Sequence, residues 1–313
     1  MLLDAERYRH KSPRKKKSRF LVPVAVSVVL IAVLVIGIVR IVRESRGTIK
    51  RSGQEIGTVE LWNSGDYDSI IMRCEESLKR DPMDTDALVF KGLSCFYKAV
   101  SEISLEDKIP FYDEAIVALR RARLSGNSDW VGEIDYILGK TYFHKGKYYY
   151  DLSVKYLEAS LREGFKGGDS YEYLGIAYTE LEHPGRGIEW FLKALAEQQT
   201  DLLLLTIAQS YIRLQEYDSA EEYLLQAVET TEEISIEKKS RFLLGEIYTG
   251  RQEYSEAEVQ YSRILELDSE SADAHFYLGE VYLAMGDRIK ARAKWREALR
   301  YDPAHYAARL RYY

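Results

Sequence analysis

Cysteine, histidine and proline are scarce in this 313-residue chain, which has two Cys, five His and six Pro. Two cysteines exclude a disulfide framework and any multi-thiolate zinc site. The histidines (His10, His144, His183, His275 and His305) are scattered without metal-ligand spacing. A Gly-rich phosphate loop, a Gly-x-Ser-x-Gly elbow and a Cys-x-x-Cys pair are all missing. Convergent groups for catalysis are therefore absent, and the expectation is a protein that is not an enzyme and takes no cofactor or metal. Long apolar runs are equally rare: there is one, at residues 20–39.

That run, Phe20 to Val39, contains no charged side chain and consists almost entirely of Val, Leu, Ile and Ala. Twenty residues at about 1.5 Å each reach roughly 30 Å, the thickness of a bilayer hydrocarbon core. Pro23 sits in its first turn, where a missing N–H costs little. A cleaved leader would have a shorter run and small residues before a cut site; here the run ends at Arg40 and Arg43. Residues 20–39 are thus expected to form an uncleaved transmembrane helix, preceded by a basic tail (1–19) and followed by a linker (40–50).

Charge orients the span. Eight Lys and Arg precede it and five follow it closely, so the positive-inside rule places the tail in the cytoplasm and the remainder beyond the membrane. Residues 1–51 hold 13 basic and three acidic side chains, about +10, which leaves the rest of the chain about −16. Lys15-Lys16-Lys17, lying directly before a span, fits anionic lipid headgroups. An acidic remainder repels phosphate backbones, which argues against nucleic acid as a partner.

The remainder repeats. Leu278-Gly279-x-x-Tyr282, then Ala291, Trp295 and Ala298, follows Leu244-Gly245-x-x-Tyr248, then Ala257 and Tyr261, at an offset of 34 residues. The frame extends back through Ala208 and Tyr211, Gly175 and Tyr178, and Gly139 and Tyr142. Two looser units precede these, around Gly92 and around Gly65. A period of 34 marks stacked helix-turn-helix units, about seven here, and the pattern resembles the tetratricopeptide repeat family. The small eighth and twentieth places let two helices approach, and larger apolar places fill the space between them. The expected fold is all-α: a transmembrane helix, then an α-solenoid over residues 51–313, closed by a short cap carrying Tyr306 and Leu310.

Irregular spacings carry their own expectations. Gly92 to Gly139 spans 47 residues, and the excess near 101–108 reads as a lengthened helix or protruding turn, with Pro110 opening the second helix. The excess near Glu232-Glu233-Ile234 reads as a longer loop. Cys74 and Cys95 fall on core places, where either buried thiols or a bridge is open.

The resemblance implies binding along the concave face, lined by places two, five, nine, twelve and thirteen of each first helix. Mapped here, these give a groove of Trp62, Leu93, Phe96, Tyr136, Phe143, Ile176, Leu205, Ile212, Phe242 and Phe276, together with Tyr97, Lys140 and His144. Glu172, Glu180, Glu246 and Glu280 are interspersed. Such a groove suits a helical or extended protein segment with basic flanks; the alternative is that several of these side chains pack between repeats or lie under the C-terminal cap. The family's Lys/Asn carboxylate clamp is absent, since place five holds Glu55, Val89, Tyr136, Glu172, Leu205, Phe242 and Phe276, and place nine holds no Asn. The expected role is a membrane-anchored scaffold for an envelope complex in secretion, outer-membrane assembly or motility. The alternative is a cytoplasm-facing regulator of envelope or lipid metabolism with inverted topology.

Overall fold

Several helices start at short polar caps, and most of the first helices of the repeats end one or two residues before a left-handed backbone turn. The computed structural model describes residues 61–125 and 130–312, in which all regular structure is helical. The tail, the predicted span and the linker, with the first-repeat positions up to residue 60, lie outside the described residues. Among those described, no helix is long and apolar enough to cross a membrane.

The helices are α1 (Tyr67–Arg80), α2 (Thr85–Ser101), α3 (Leu105–Leu124), α4 (Val131–His144), α5 (Tyr150–Arg162), α6 (Ser170–Glu180) and α7 (Pro184–Glu197). They continue as α8 (Asp201–Arg213), α9 (Tyr217–Thr230), α10 (Ile234–Gly250), α11 (Tyr254–Leu267), α12 (Ala272–Ala284), α13 (Arg288–Tyr301) and α14 (Tyr306–Tyr312). Six pairs, α2/α3 to α12/α13, pack within themselves and against the next pair, as the 34-residue frame requires. Asp66, Asp84, Ser104, Thr200, Ser271 and Asp287 each accept an N–H of the first turn, satisfying a donor that the helix leaves orphaned.

The close approach within a pair is visible at the eighth place. A Cβ on Gly175 would lie 2.4 Å from the Phe191 ring, one on Gly245 2.5 Å from Tyr261, and one on Gly279 2.5 Å from Trp295. Each large side chain fills the space that the glycine opposite leaves. The turn inside each pair repeats as well. Gly65, Gly146, Glu182, Gln215, Gln252 and Gly286 all have positive φ, at the same place of their repeats. The following N–H then reaches back to the eleventh-place carbonyl: His183 to Tyr178, Glu216 to Tyr211, Glu253 to Tyr248 and Asp287 to Tyr282, at 2.8–3.0 Å.

Between pairs, eleventh-place tyrosines donate to carboxylates of the preceding repeat: Tyr248 to Glu221 at 2.8 Å, Tyr282 to Glu258 at 2.7 Å, and Tyr178 to Glu158. Arg251 adds ion pairs to Glu221 and Asp218, both at 2.5 Å.

Of the two readings of the insert, the lengthened helix holds, whereas the Pro110 start and the loop near residue 232 are corrected. The insert after Gly92 lengthens both helices at their junction, giving α2 17 residues and α3 20. Pro110 does not open α3. Ser104 caps it five residues earlier, accepting from the Asp107 N–H at 3.1 Å, and Pro110 sits inside the helix near its exposed start. Near residue 232, the excess joins α10, which runs 17 residues against 13 in α12. Both cysteines are free and buried. Burial lifts each thiol to about 12, so neither is a reactive thiolate.

Candidate functional site

The inner face of α2, α4 and α6 is rich in close aromatic contacts. Trp62, Tyr67 and Tyr97 form one cluster, with ring centroids 5.4–5.9 Å apart. Phe143 meets Tyr173 edge-on at 4.7 Å and stacks on Tyr150 at 5.0 Å. His144 lies among Phe96, Tyr112, Phe143 and Tyr173, all within 6.1 Å between centroids.

A polar network threads these rings. Asp169, in the turn before α6, accepts from Tyr136 Oη at 2.5 Å and from Lys140 Nζ at 2.7 Å. The Lys140 ammonium also lies 4.9 Å from the Tyr173 ring and 5.2 Å from the Tyr136 ring, within cation–π range. His144 Nε2 pairs with Tyr173 Oη at 3.0 Å. Burial, reinforced by Lys140, drops the His144 imidazole to about 4. The ring is therefore neutral at physiological pH, and its role is packing. Burial first, then the Asp169 charge, raises the Tyr136 and Tyr173 phenols far above their ordinary value.

Further along the first helices, carboxylates stand open to solvent. Glu172 and Glu246 are exposed, and the surrounding protein still raises both carboxyls, Glu172 also through Asp169. Arg213 reaches Glu180 at 3.3 Å across one repeat step.

The predicted groove residues divide. Leu93, Phe96, Tyr136 and Leu205 are buried within the stack. For these four the alternative of packing between repeats holds, and they support the face from beneath. Trp62, Phe143, Ile212, Phe242 and Phe276 are half-buried, and Ile176 is 38% exposed. Asp169 and the Tyr67 partner of Trp62 are the additions. Asp169 lies in a connecting turn, where the repeat frame gives no signal; Tyr67 opens α1, where an aromatic reads as core. Among the described residues no cluster of His, Cys, Asp or Glu could hold a metal ion. The arrangement offers shape, aromatic surface and placed charge to a polypeptide.

Comparison with known proteins agrees with this geometry. Tetratricopeptide repeat models match residues 203–233 and 272–305, and a TPR repeat model matches residues 245–286. No curated protein matches the chain in sequence. Among solved structures, the C-terminal part of a TPR repeat-containing protein from Cytophaga hutchinsonii is similar over 81% of this chain and 97% of its own, at 15% identity and a TM-score of 0.65. A crystal structure of the MamA protein is similar over 56% of this chain and 93% of its own, at 18% identity and a TM-score of 0.50. Both likenesses are of fold.

Proposed function

The chain is a tetratricopeptide-repeat protein, its stack a protein–protein interaction scaffold, and from that premise we propose that it receives a segment of a partner protein on the inner face of its first helices while anchored in a membrane. The observation that carries the groove reading is the row of accessible apolar and aromatic side chains, Trp62, Tyr97, Phe143, Ile176, Phe242 and Phe276, set among the carboxylates of Glu172, Glu180 and Glu246. An amphipathic segment with basic flanks matches that chemistry, with apolar anchors in the hollow and cations at the acidic rim. The apolar run at 20–39 and the basic excess before it support a single span with the repeats on the far side of the cytoplasmic membrane. In that setting the scaffold serves assembly of an envelope complex, in secretion, outer-membrane assembly or motility.

Two measurements test this reading. Single cysteines introduced at exposed positions, with the buried native thiols as a silent background, report the side of the membrane through an impermeant reagent. Labelling only after the cytoplasmic face is opened would overturn the topology. Ile176→Asp and Phe276→Asp in the full chain should abolish partner co-purification while leaving the helical content intact; unchanged co-purification would overturn the groove.

A further inference from the structure

The last full repeat turns basic along a row that carries two glutamates in each of the two repeats before it. Along the second helix of repeats five and six, the residues at the same four places are Tyr217, Glu221, Leu225 and Glu229 in α9, then Tyr254, Glu258, Ser262 and Glu266 in α11. In α13 they are Arg288, Arg292, Arg296 and Arg300, all exposed and each one turn from the next. Like charges at this spacing destabilise an isolated helix, so helix formation does not explain the row. The acidic version has a visible use: Glu221 and Glu258 accept from Tyr248 and Tyr282 of the next repeat, and Glu221 also holds Arg251.

The basic version has no matching acids. Arg300 pairs with Glu297 at 3.3 Å. No carboxylate among the described residues lies within ion-pair distance of Arg288, Arg292 or Arg296; Arg292 lies over the Tyr312 ring at 5.7 Å. Residues 288–312 hold eight Lys and Arg against Glu297 and Asp302 alone, whereas residues 52–287 hold 45 acidic side chains against 23 basic. Helix α14 packs on α13 in the register of a following first helix. Its Ala308 is completely buried, like Ala274 one period earlier. Beside it lies a cavity of about 320 Å³ lined by Leu283, Arg288, Arg292, Trp295, Arg311 and Tyr312. Three guanidinium-bearing side chains thus converge on a space walled by two aromatic rings. Only Arg311 is already committed to a carboxylate, Glu280.

We propose that this cavity and the arginine row leading from it bind the side-chain carboxylates of an acidic segment in a different protein. Guanidinium forks pair two-pronged with carboxylates, and Arg311 already holds Glu280 in that way, at 2.7–3.1 Å. The cavity volume suits one or two side chains, and Trp295 with Tyr312 supplies apolar wall for the stem of a glutamate. A long polyanion would run from this single helix onto the acidic body and be repelled. A second copy is disfavoured too: the acid-rich helix α9 has Asp218 and Glu221 committed to Arg251, and both bodies carry the same acidic excess. The site lies on α13 and α14 and borders the end of the inner face through Leu283 and the Glu280 partner of Arg311; its argument rests on the arginine row and does not depend on the groove reading.

The test uses the purified full chain and a fluorescent glutamate-rich helical peptide, acetylated and amidated so that it bears only side-chain carboxylates. Binding should weaken with added salt. Arg288→Gln with Arg292→Gln should lower affinity about tenfold or more, whereas Lys193→Gln on α7 and Ile176→Asp on the inner face leave it unchanged. Circular dichroism checks that the double variant, changed only at exposed positions, keeps its fold. Equal binding of a peptide with glutamine for glutamate, or undiminished binding by the double variant, would overturn the proposal. Displacement of the peptide by phosphatidylserine vesicles would overturn it in favour of a lipid surface. Wild-type self-association that the double variant loses would overturn it in favour of a second copy.

Discussion

Two glycines two residues apart in α7, Gly185 and Gly187, should respond differently to alanine. Gly187 is buried at the crossing of α6 and α7. A Cβ there would lie 2.2 Å from Thr179 Oγ1, 2.8 Å from the Gly175 carbonyl oxygen and 3.3 Å from the Thr179 N. The Thr179 hydroxyl could rotate away, but that sacrifices its 2.8 Å hydrogen bond to the Gly175 carbonyl. The carbonyl belongs to the α6 backbone and cannot move without parting the helices. Overpacking of this kind costs about 1–3 kcal/mol and a lost buried hydrogen bond about 1 kcal/mol more. Alanine returns about 1 kcal/mol of helix propensity. The net expectation for Gly187→Ala is about 1–3 kcal/mol of destabilisation. Gly185 has the same propensity to gain and nothing within 4 Å of a Cβ. Gly185→Ala should therefore be neutral or stabilise by about 0.5 kcal/mol, less than the full propensity term because it lies in the first turn. Urea denaturation of the full chain, followed by circular dichroism, compares the midpoints. A repeat stack need not unfold in one step, so the shift is read on the transition that includes α6 and α7. If Gly187→Ala matches the wild type, or both variants lose stability equally, the close-approach account of the repeat is wrong.

Three further expectations follow from the same geometry. His144 stays neutral in the fold down to about pH 4, whereas an unfolded histidine protonates near 6.5. The unfolded chain then binds more protons between those values, so stability falls as pH drops through that window, by up to about 3 kcal/mol; His144→Gln should show a shallower fall, and identical slopes would refute it. Asp135 is wholly buried and held by Arg123 at 2.7 Å, whereas the Arg123 side chain is 44% exposed. Arg123→Ala strands a buried carboxylate and should cost about 3–5 kcal/mol, whereas Asp135→Ala lets the guanidinium turn to water and should cost about 1–3 kcal/mol; thermal melts that reverse this order would contradict it. Gln252 adopts φ 65° where the next repeat uses Gly286, so Gln252→Gly should raise stability by about 0.5–1 kcal/mol in the same melts, and a loss would count against strain at that turn.

Much of the architecture was legible because packing constraints recur. Gly175, Gly245 and Gly279 announce helix crossings, since only a missing Cβ admits Phe191, Tyr261 and Trp295. Elements that do not recur were harder to read. The insert after Gly92 left a lengthened helix and a protruding turn both open, and the start of its second helix was misplaced at Pro110 because the local Ser104–Asp107 cap was not read as one. The left-handed turn residues were hidden because Glu182, Gln215 and Gln252 stand where glycine would have signalled them. At the candidate site, repeat place told which helix face Leu93, Phe96, Tyr136 and Leu205 share. It left open whether neighbouring repeats bury them, because burial depends on how closely successive pairs stack. Asp169, which ties Tyr136 and Lys140 together, lies in a turn outside the frame.

Photo-crosslinking by face in the native membrane reports which side of the stack holds the partner. A photoreactive residue is placed in the full chain at Tyr97, Ile176 or Phe242 on the inner face, and at Leu225 or Val259 on the outer one, both of which are exposed. The account predicts that all inner positions capture the same partner polypeptide and that the outer positions do not. Capture of that polypeptide equally from Leu225 and Val259, or from none of the inner positions, would contradict it.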